Sequence, residues 1–120
     1  IVRSDGSPLR DYLYVQDAVR AYITLAQQLD RSNLRGQAFN FGTDEPRTVL
    51  EIVETIVALS DHPDLDPEIL GEASNEIQDQ YLDSNKAGQM LGWEPVYSLE
   101  NGLRETIAWY SEFLRDRRTE

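Results

Sequence analysis

The sequence GSPLRDYLYVQDAV, residues 6–19, places a turn, an extended segment and the start of a helix in succession. A turn is predicted at Ser4–Ser7 (SDGS), because Asp, Gly and Ser favour the backbone conformations that turns need. Arg10–Val15 (RDYLYV) is rich in aromatic and β-branched residues, which predicts a strand. Asp17 has the position of a helix N-cap, and apolar residues then recur at helical spacing as far as Leu29. A strand followed by an amphipathic helix indicates an α/β fold.

The middle of the chain predicts a second strand and a helix with a clear start. Gln37–Gly42 (QAFNFG) is dense in aromatic residues and bounded by glycines, which is typical of a short strand. Thr48 and Glu51 have the spacing of a capping box, in which each side chain bonds the backbone amide of the other residue. The helix that begins there is expected to run to about Ser60, before a loop that contains two prolines.

The last third of the chain predicts two more helices and little sheet. Short extended segments are expected at Glu68–Leu70 and Gln80–Asp83. A helix is expected over Ser84–Leu91, where Gly92 ends it, and Ser98 is expected to cap the final helix. The fold class is therefore α/β, with several helices and few, short strands.

Several conspicuous side chains are better explained by packing or capping than by binding. The apolar stripes of the two best-defined helices predict a core that contains Leu50, Val53, Ile56, Leu103, Ile107 and Trp109. Trp93 is likewise expected in the core, and Asp17, Thr48 and Asp83 are expected to cap helices. For Asn40, an amide bonded to backbone within a strand is the simpler explanation than a ligand contact.

The net charge is −11, and most of it lies in one part of the chain. Between Thr48 and Asn85 there are ten acidic residues and no Lys or Arg. Such a charge repels nucleic acids and anionic membranes, so neither is expected as a partner. The acids lack the alternate spacing of a calcium loop, and the chain has no cysteine, so no metal site is expected.

The residues that catalysis would require are missing from the sequence. The seven glycines lie far apart, so the chain has no glycine-rich turn to hold a dinucleotide. No tyrosine is followed by a lysine four residues later, and the one histidine, His62, lies in the predicted loop. No catalytic residue and no cofactor-binding residue is therefore expected, and the residues indicate a binding or packing module.

Four stretches together resemble one enzyme family. They are GSPLRDYLYVQDAV (6–19), QAFNFGTDEPRTVLEIV (37–53), YLDSNKAGQMLGWEP (81–95) and SLENGLRETIAWY (98–110). In order and spacing they are similar to the C-terminal, substrate-binding part of extended short-chain dehydrogenases/reductases, the NAD-dependent epimerase/dehydratase family that acts on nucleotide sugars. The stretch ASNEIQDQYL (73–82) is most similar to CDP-glucose 4,6-dehydratases or to unspecified NAD-dependent epimerases/dehydratases. The resemblance implies that the Rossmann domain, with the glycine-rich loop, the Tyr-Lys pair and bound NAD, precedes this chain.

The resemblance also implies which residues bind substrate. Arg10 matches the arginine that contacts the diphosphate, and a guanidinium suits phosphate oxygens because it bonds them bidentately. Tyr12 matches a position near the nucleoside, and Asn75 and Glu76 lie where the family's loop meets ribose or phosphate. Asp11 is expected to orient Arg10 or to close a turn. Epimerases carry a second arginine near residues 73–75, and its absence here leaves Arg10 as the diphosphate contact.

The resulting hypothesis is that the intact parent is a nucleotide-sugar 4,6-dehydratase or epimerase, cytoplasmic and homodimeric. Residues 1–120 would form its nucleotide-sugar-binding portion, with residues 1–60 packing on or completing the Rossmann sheet. The fragment alone is expected to bind no NAD and to be inactive. Two alternatives remain at this point: a free-standing module that binds a nucleotide or an acidic partner, and a structural remnant without a ligand.

Overall fold

A computed structural model describes residues 1–117 of the chain. Within them the elements, in chain order, are β1 (Leu9–Arg10), α1 (Val15–Gln28), a 3-10 turn (Ser32–Leu34), β2 (Arg47–Thr48), α2 (Val49–Leu59), β3 (Asp79–Gln80), α3 (Asn85–Leu91) and α4 (Leu99–Arg117). The predicted α/β class, with several helices and few short strands, is confirmed. None of the helices in this part of the chain combines the length and the apolarity that a bilayer span requires.

The strands form one small sheet in which β1 is central. The order is β2-β1-β3, with β1 antiparallel to β2 and parallel to β3. Arg10 is thereby opposite Arg47 on one side and Gln80 on the other. A separate bridge joins Val2 to Ile69, inside the segment where a short strand was expected. The sheet therefore brings the start of the chain against the acidic middle segment.

Helix α1 begins earlier than the sequence predicts, and its cap is a different residue. Val15 is already helical, so the expected strand over Arg10–Val15 is wrong except at Arg10. Tyr14 occupies the N-cap position without a side-chain hydrogen bond. Asp17 is 0% exposed and accepts hydrogen bonds from the backbone amides of Val96 and Tyr97, so its expected role as a cap is wrong. Its partners lie far along the chain, where local periodicity gives no sign of them.

The predicted strand over Gln37–Gly42 is also wrong, because no strand in the described residues pairs with it. Side chains satisfy parts of its backbone instead. Ser84 Oγ accepts a hydrogen bond from the Gly42 amide at 2.7 Å and donates to the Gly42 carbonyl at 3.1 Å. Lys86 Nζ donates to the Ala38 carbonyl oxygen at 2.8 Å.

The helix boundaries that depend on near neighbours agree with the sequence. Thr48 Oγ1 accepts from the Glu51 amide, and a Glu51 carboxylate oxygen accepts from the Thr48 amide, at 3.1 and 2.7 Å. Gly92 ends α3 in the left-handed conformation, with φ 67°. Ser98 Oγ accepts from the Asn101 amide at the start of α4. The N-cap of α3 is Ser84 and not Asp83, which lies one residue earlier and accepts from the Asn85 amide at 2.8 Å.

Ile52 on α2 is buried, but the main buried cluster lies between α1 and α3. It consists of Ala21, Leu34, Ala87, Leu91 and Trp93. Trp93 is 2% exposed and packs edge-on against the Phe41 ring, so its expected burial is confirmed. Of the six core residues expected on α2 and α4, four are half-buried, while Ile56 is 37% and Trp109 55% exposed. The expectation is wrong for these two, because their helices lie at the margin of the buried cluster.

Candidate substrate-binding site

Arg10, the expected diphosphate contact, lies in the central strand and reaches the loop that leads into β3. Its Nη2 lies 2.8 Å from Glu76 Oε1. Its Nη1 donates to the carbonyl oxygens of Leu9 at 2.7 Å and Gln78 at 3.3 Å. The structure thus brings two predicted substrate-binding residues, Arg10 and Glu76, into one ion pair. A diphosphate contact in the intact enzyme would require the Arg10 guanidinium to be available, whereas in this chain it is paired with Glu76.

Tyr12 lies close to that ion pair. The pKa of its phenol is raised, chiefly by burial. The charge of Arg10 opposes this shift, and the charge of Glu76 adds to it. The ring is half-buried and contributes to the lining of two grooves described below. A third predicted residue therefore shares the electrostatic environment of Arg10 and Glu76.

Asn75 makes the turn that precedes Glu76. Its φ is 62°, in the left-handed region, which asparagine adopts more readily than most residues with a side chain. Its side chain is exposed. All four predicted substrate-binding residues thus lie on β1, just after it, or on the loop before β3.

Asp11 closes a contact that the sequence did not reveal. Its carboxylate accepts hydrogen bonds from the Thr43 amide, at 2.9 and 3.1 Å, and from the Thr43 hydroxyl. A Cβ on Gly42 would lie 2.1 Å from Asp11 Oδ2, so only glycine allows this approach. Asp11 is therefore held by Thr43, and its role is to attach the Arg10 segment to residues 42–43. The motif match showed both segments but not their contact.

Two open grooves meet at Tyr12 and Tyr97. The first, of about 930 Å³, lies between α2 and the start of α4, and the second, of about 820 Å³, lies between residues 11–16 and α4. Both linings include Tyr12, Tyr97, Ser98 and Leu99. The Tyr97 ring lies 4.7 Å from the Tyr14 ring, centroid to centroid. Tyr97 was not expected at the site, and no local signal distinguishes it from other aromatic residues.

The charge of the first groove does not suit a phosphate. Its carboxylates belong to Glu45, Glu51, Glu54 and Glu100, and its one cationic side chain is Arg47. Arg47 is itself within 3.3 Å of a Glu45 carboxylate oxygen. A diphosphate would meet mainly repulsion in that groove.

Known proteins resemble this chain over most of its length. A family model described as GDP-mannose 4,6 dehydratase matches residues 1–106. The dTDP-glucose 4,6-dehydratase of Neisseria gonorrhoeae is 35% identical over 122 residues, covering 91% of this chain and 34% of that protein. A UDP-glucose 4-epimerase from Thermotoga maritima, solved with UDP-glucose, superposes with a TM-score of 0.80 at 30% identity, covering 94% of this chain and 35% of that one. A dTDP-glucose 4,6-dehydratase from Bacillus anthracis, solved in complex with NAD, gives 0.76 at 29% identity, covering 92% and 34%.

The chain spans about a third of the length of these relatives. The family match nevertheless covers far more than half of this chain, and it includes the Arg10 segment, the Gly42–Thr43 segment and the loop of Asn75 and Glu76. The chain therefore belongs to the GDP-mannose 4,6-dehydratase family, among the epimerases and dehydratases of the extended short-chain dehydrogenase/reductase type.

Proposed function

We propose that this chain is the nucleotide-sugar-binding portion of an NAD-dependent nucleotide-sugar 4,6-dehydratase or epimerase. The observation that carries the proposal is the position of Arg10. It lies in the central strand, inside the family motif, with its guanidinium beside Tyr12 and the loop of Asn75 and Glu76. A fork-shaped cation next to a half-buried aromatic ring suits a diphosphate joined to a nucleoside.

The described residues do not fit an NAD site. A dinucleotide site needs closely spaced glycines in a turn between a strand and a helix. The glycines with positive φ here are Gly6, Gly36, Gly71 and Gly92, each in a different connection. In this proposal NAD and the catalytic groups belong to a Rossmann domain outside residues 1–117. The chain contributes substrate binding and orientation.

Helix α1 supports the presence of such a domain. Val15, Val19, Tyr22 and Leu29 share one helical face and are all exposed, while Asp17 and Ala21 on the opposite face are buried. A helix that is apolar on both faces is normally covered on both. We infer that the Rossmann domain of the same protein covers this face, because the relatives are about three times as long as this chain.

The segment 37–42 supports the proposal that residues 1–60 pack on the Rossmann sheet or complete it. It is rich in aromatic residues, which favour strands, yet it pairs with no strand among residues 1–117. Pairing with an edge strand of a Rossmann sheet would satisfy its remaining backbone groups. The homodimer and the cytoplasmic location stay predictions.

The substrate class follows from the diphosphate contact, and a direct assay tests it. The relatives' names give dTDP-glucose and UDP-glucose as substrates of those proteins, and residues 73–82 resemble the CDP-glucose enzymes. The protein that includes a Rossmann domain before residue 1 should be incubated with CDP-, UDP- and dTDP-glucose. Loss of water from the sugar indicates a dehydratase, and inversion at C4 an epimerase. Turnover of none of the three would exclude these substrates, and turnover of neither them nor GDP-mannose, by an enzyme that binds NAD, would contradict the proposal.

The fragment alone provides the complementary measurement. Calorimetry with NAD should detect no binding to residues 1–120, because no glycine turn is present to hold the pyrophosphate. Micromolar NAD affinity would instead favour a free-standing nucleotide-binding module.

A further inference from the structure

The guanidinium of Arg10 is already occupied by the chain itself. Nη2 pairs with Glu76 Oε1, and Nη1 donates to two carbonyl oxygens, one of them in Gln78. Glu76 and Gln78 both belong to the loop before β3, and the Gln78 side chain also bonds Ser7 across the same gap. The loop is thereby fixed to β1 in part through the side chain that would hold a diphosphate.

We propose that Glu76 is a specificity-determining residue, an internal anion that occupies Arg10 and is displaced by a diphosphate but not by singly charged anions. The inference rests on the proposed function, in which Arg10 contacts the diphosphate of a nucleotide sugar. A guanidinium binds oxyanions through parallel N–H bonds, and the Glu76 carboxylate accepts one such bond from Nη2 while the Leu9 and Gln78 carbonyl oxygens accept from Nη1. A ligand that seeks bidentate contact through Nη1 and Nη2 therefore competes with Glu76.

The tether makes Glu76 a strong competitor for weak anions. A carboxylate carried on an adjacent loop has an effective concentration on the order of millimolar or higher at its partner. A carboxylate or phosphate monoanion in solution offers no more charge than Glu76 and lacks that advantage. A diphosphate carries at least two charges and more acceptor oxygens, so it can replace the carboxylate and extend its contacts at the same time.

The surroundings allow Glu76 to leave. Residues 71–83 are exposed along their whole length, so the Glu76 side chain can swing into water without leaving a buried position. The same stretch provides no second cation to hold it, since no Lys or Arg lies between Thr48 and Asn85. Displacement by a ligand therefore releases the carboxylate into solvent.

Anion titrations of the 120-residue chain test this directly. At about pH 5.5, where inorganic phosphate is mainly a monoanion and pyrophosphate keeps at least two charges, each anion is added to chains carrying ¹⁵N-labelled arginine, and the Arg10 Nε–H signal is followed by NMR. Glu76→Gln removes the competing charge and keeps the side-chain size. Glu72→Gln removes the same charge from an exposed side chain at the other end of the loop and serves as the matched control. Arg10→Ala reports whether the anion binds at Arg10.

Pyrophosphate should bind the Glu76→Gln chain about fivefold more tightly than the wild type, the upper range for a partly exposed ion pair. Inorganic phosphate should move the Arg10 signal only in Glu76→Gln, and Glu72→Gln should behave as the wild type to within about twofold. Equal affinities for wild type and Glu76→Gln, or an equal gain in Glu72→Gln, overturn the inference. So does an Arg10 signal that pyrophosphate moves in no variant.

The diphosphate contact of Arg10 and the competition by Glu76 give different results in these titrations. If Arg10→Ala weakens pyrophosphate binding while Glu76→Gln leaves it unchanged, Glu76 is not a competitor but the diphosphate contact of the proposed function stands. If Arg10→Ala leaves binding unchanged, the diphosphate contact and the inference about Glu76 both fail.

Discussion

The carboxylate of Asp17 accepts a hydrogen bond of 3.0 Å from the backbone amide of Tyr97, eighty residues further along the chain. The Val96 amide donates to the same carboxylate, and Arg20 lies 2.7 Å from it. The bonds attach the segment before α4 to α1. They also fix Tyr97 between the two grooves, so a single buried acid contributes to both the fold and the shape of the candidate site.

Asp17→Ala should lower the free energy of unfolding by about 3 kcal/mol, because the Val96 and Tyr97 amides lose their buried acceptor. Asp17→Asn keeps one acceptor oxygen and should cost less. Arg20→Gln is the control and should cost about 1 kcal/mol or below, since the Arg20 side chain is 43% exposed and its removal leaves both amide bonds intact. Urea unfolding followed by tryptophan fluorescence measures all three. Equal losses in Asp17→Ala and Arg20→Gln would show that the ion pair matters more than the amide bonds.

The contrast between Asp17 and Thr48 shows what the sequence could and could not predict. The capping box of Thr48 and Glu51 and the helix end at Gly92 depend on residues within four positions, and both were predicted correctly. Asp17 has a cap-like position but distant partners, so its local context was misleading. For Arg10, the motif gave the position, but the pairing with Glu76 depends on a sheet register that local patterns do not specify.

The capping box should give the fold a pH dependence. Hydrogen bonds from Thr48 hold the pKa of Glu51 below its ordinary value of 4.5. A carboxyl whose pKa is lower in the folded chain stabilises the fold above its unfolded pKa, and that contribution is lost as pH falls through the folded pKa. The difference in unfolding free energy between wild type and Glu51→Gln should therefore shrink below about pH 4.5. Asp5, whose pKa is also lowered, titrates in both proteins and cancels in the comparison.

The loss of unfolding free energy in core variants should depend on whether the residue lies between α1 and α3. Membership in the apolar stripe of a helix should matter less. Leu91 is buried in the main cluster, so Leu91→Ala should cost about 2–5 kcal/mol. Ile56 belongs to the α2 stripe but remains partly in water, so Ile56→Ala should cost only about 1 kcal/mol. Thermal or urea unfolding of the 120-residue chain gives both values. A larger loss for Ile56→Ala would place the stable core under α2 instead.

A charge introduced on the exposed face of α1 should destabilise the protein only when the proposed Rossmann domain is present. Tyr22 is 78% exposed, so Tyr22→Glu should change the stability of the 120-residue chain by less than about 0.5 kcal/mol. In the longer protein the same charge would be buried, at a cost above about 2 kcal/mol. Gln27→Glu, on the exposed polar side of α1, is the control and should be tolerated in both. Similar tolerance of Tyr22→Glu in the longer protein would mean that this face stays in water.

Arg10 should matter more to substrate affinity than to folding. In the NAD-bound longer protein, Arg10→Lys keeps the charge but loses the bidentate fork, so nucleotide-sugar binding should weaken. Arg10→Ala loses both and should cost on the order of 2 kcal/mol or more, which is about thirtyfold in the dissociation constant. The ion pair with Glu76 is partly exposed, and its loss should lower the unfolding free energy by less than about 1 kcal/mol. Arg47→Ala is the control, because that side chain lies in the acidic groove and pairs with Glu45. If Arg47→Ala weakens binding and Arg10→Ala does not, the diphosphate lies on the α2 side of Tyr12.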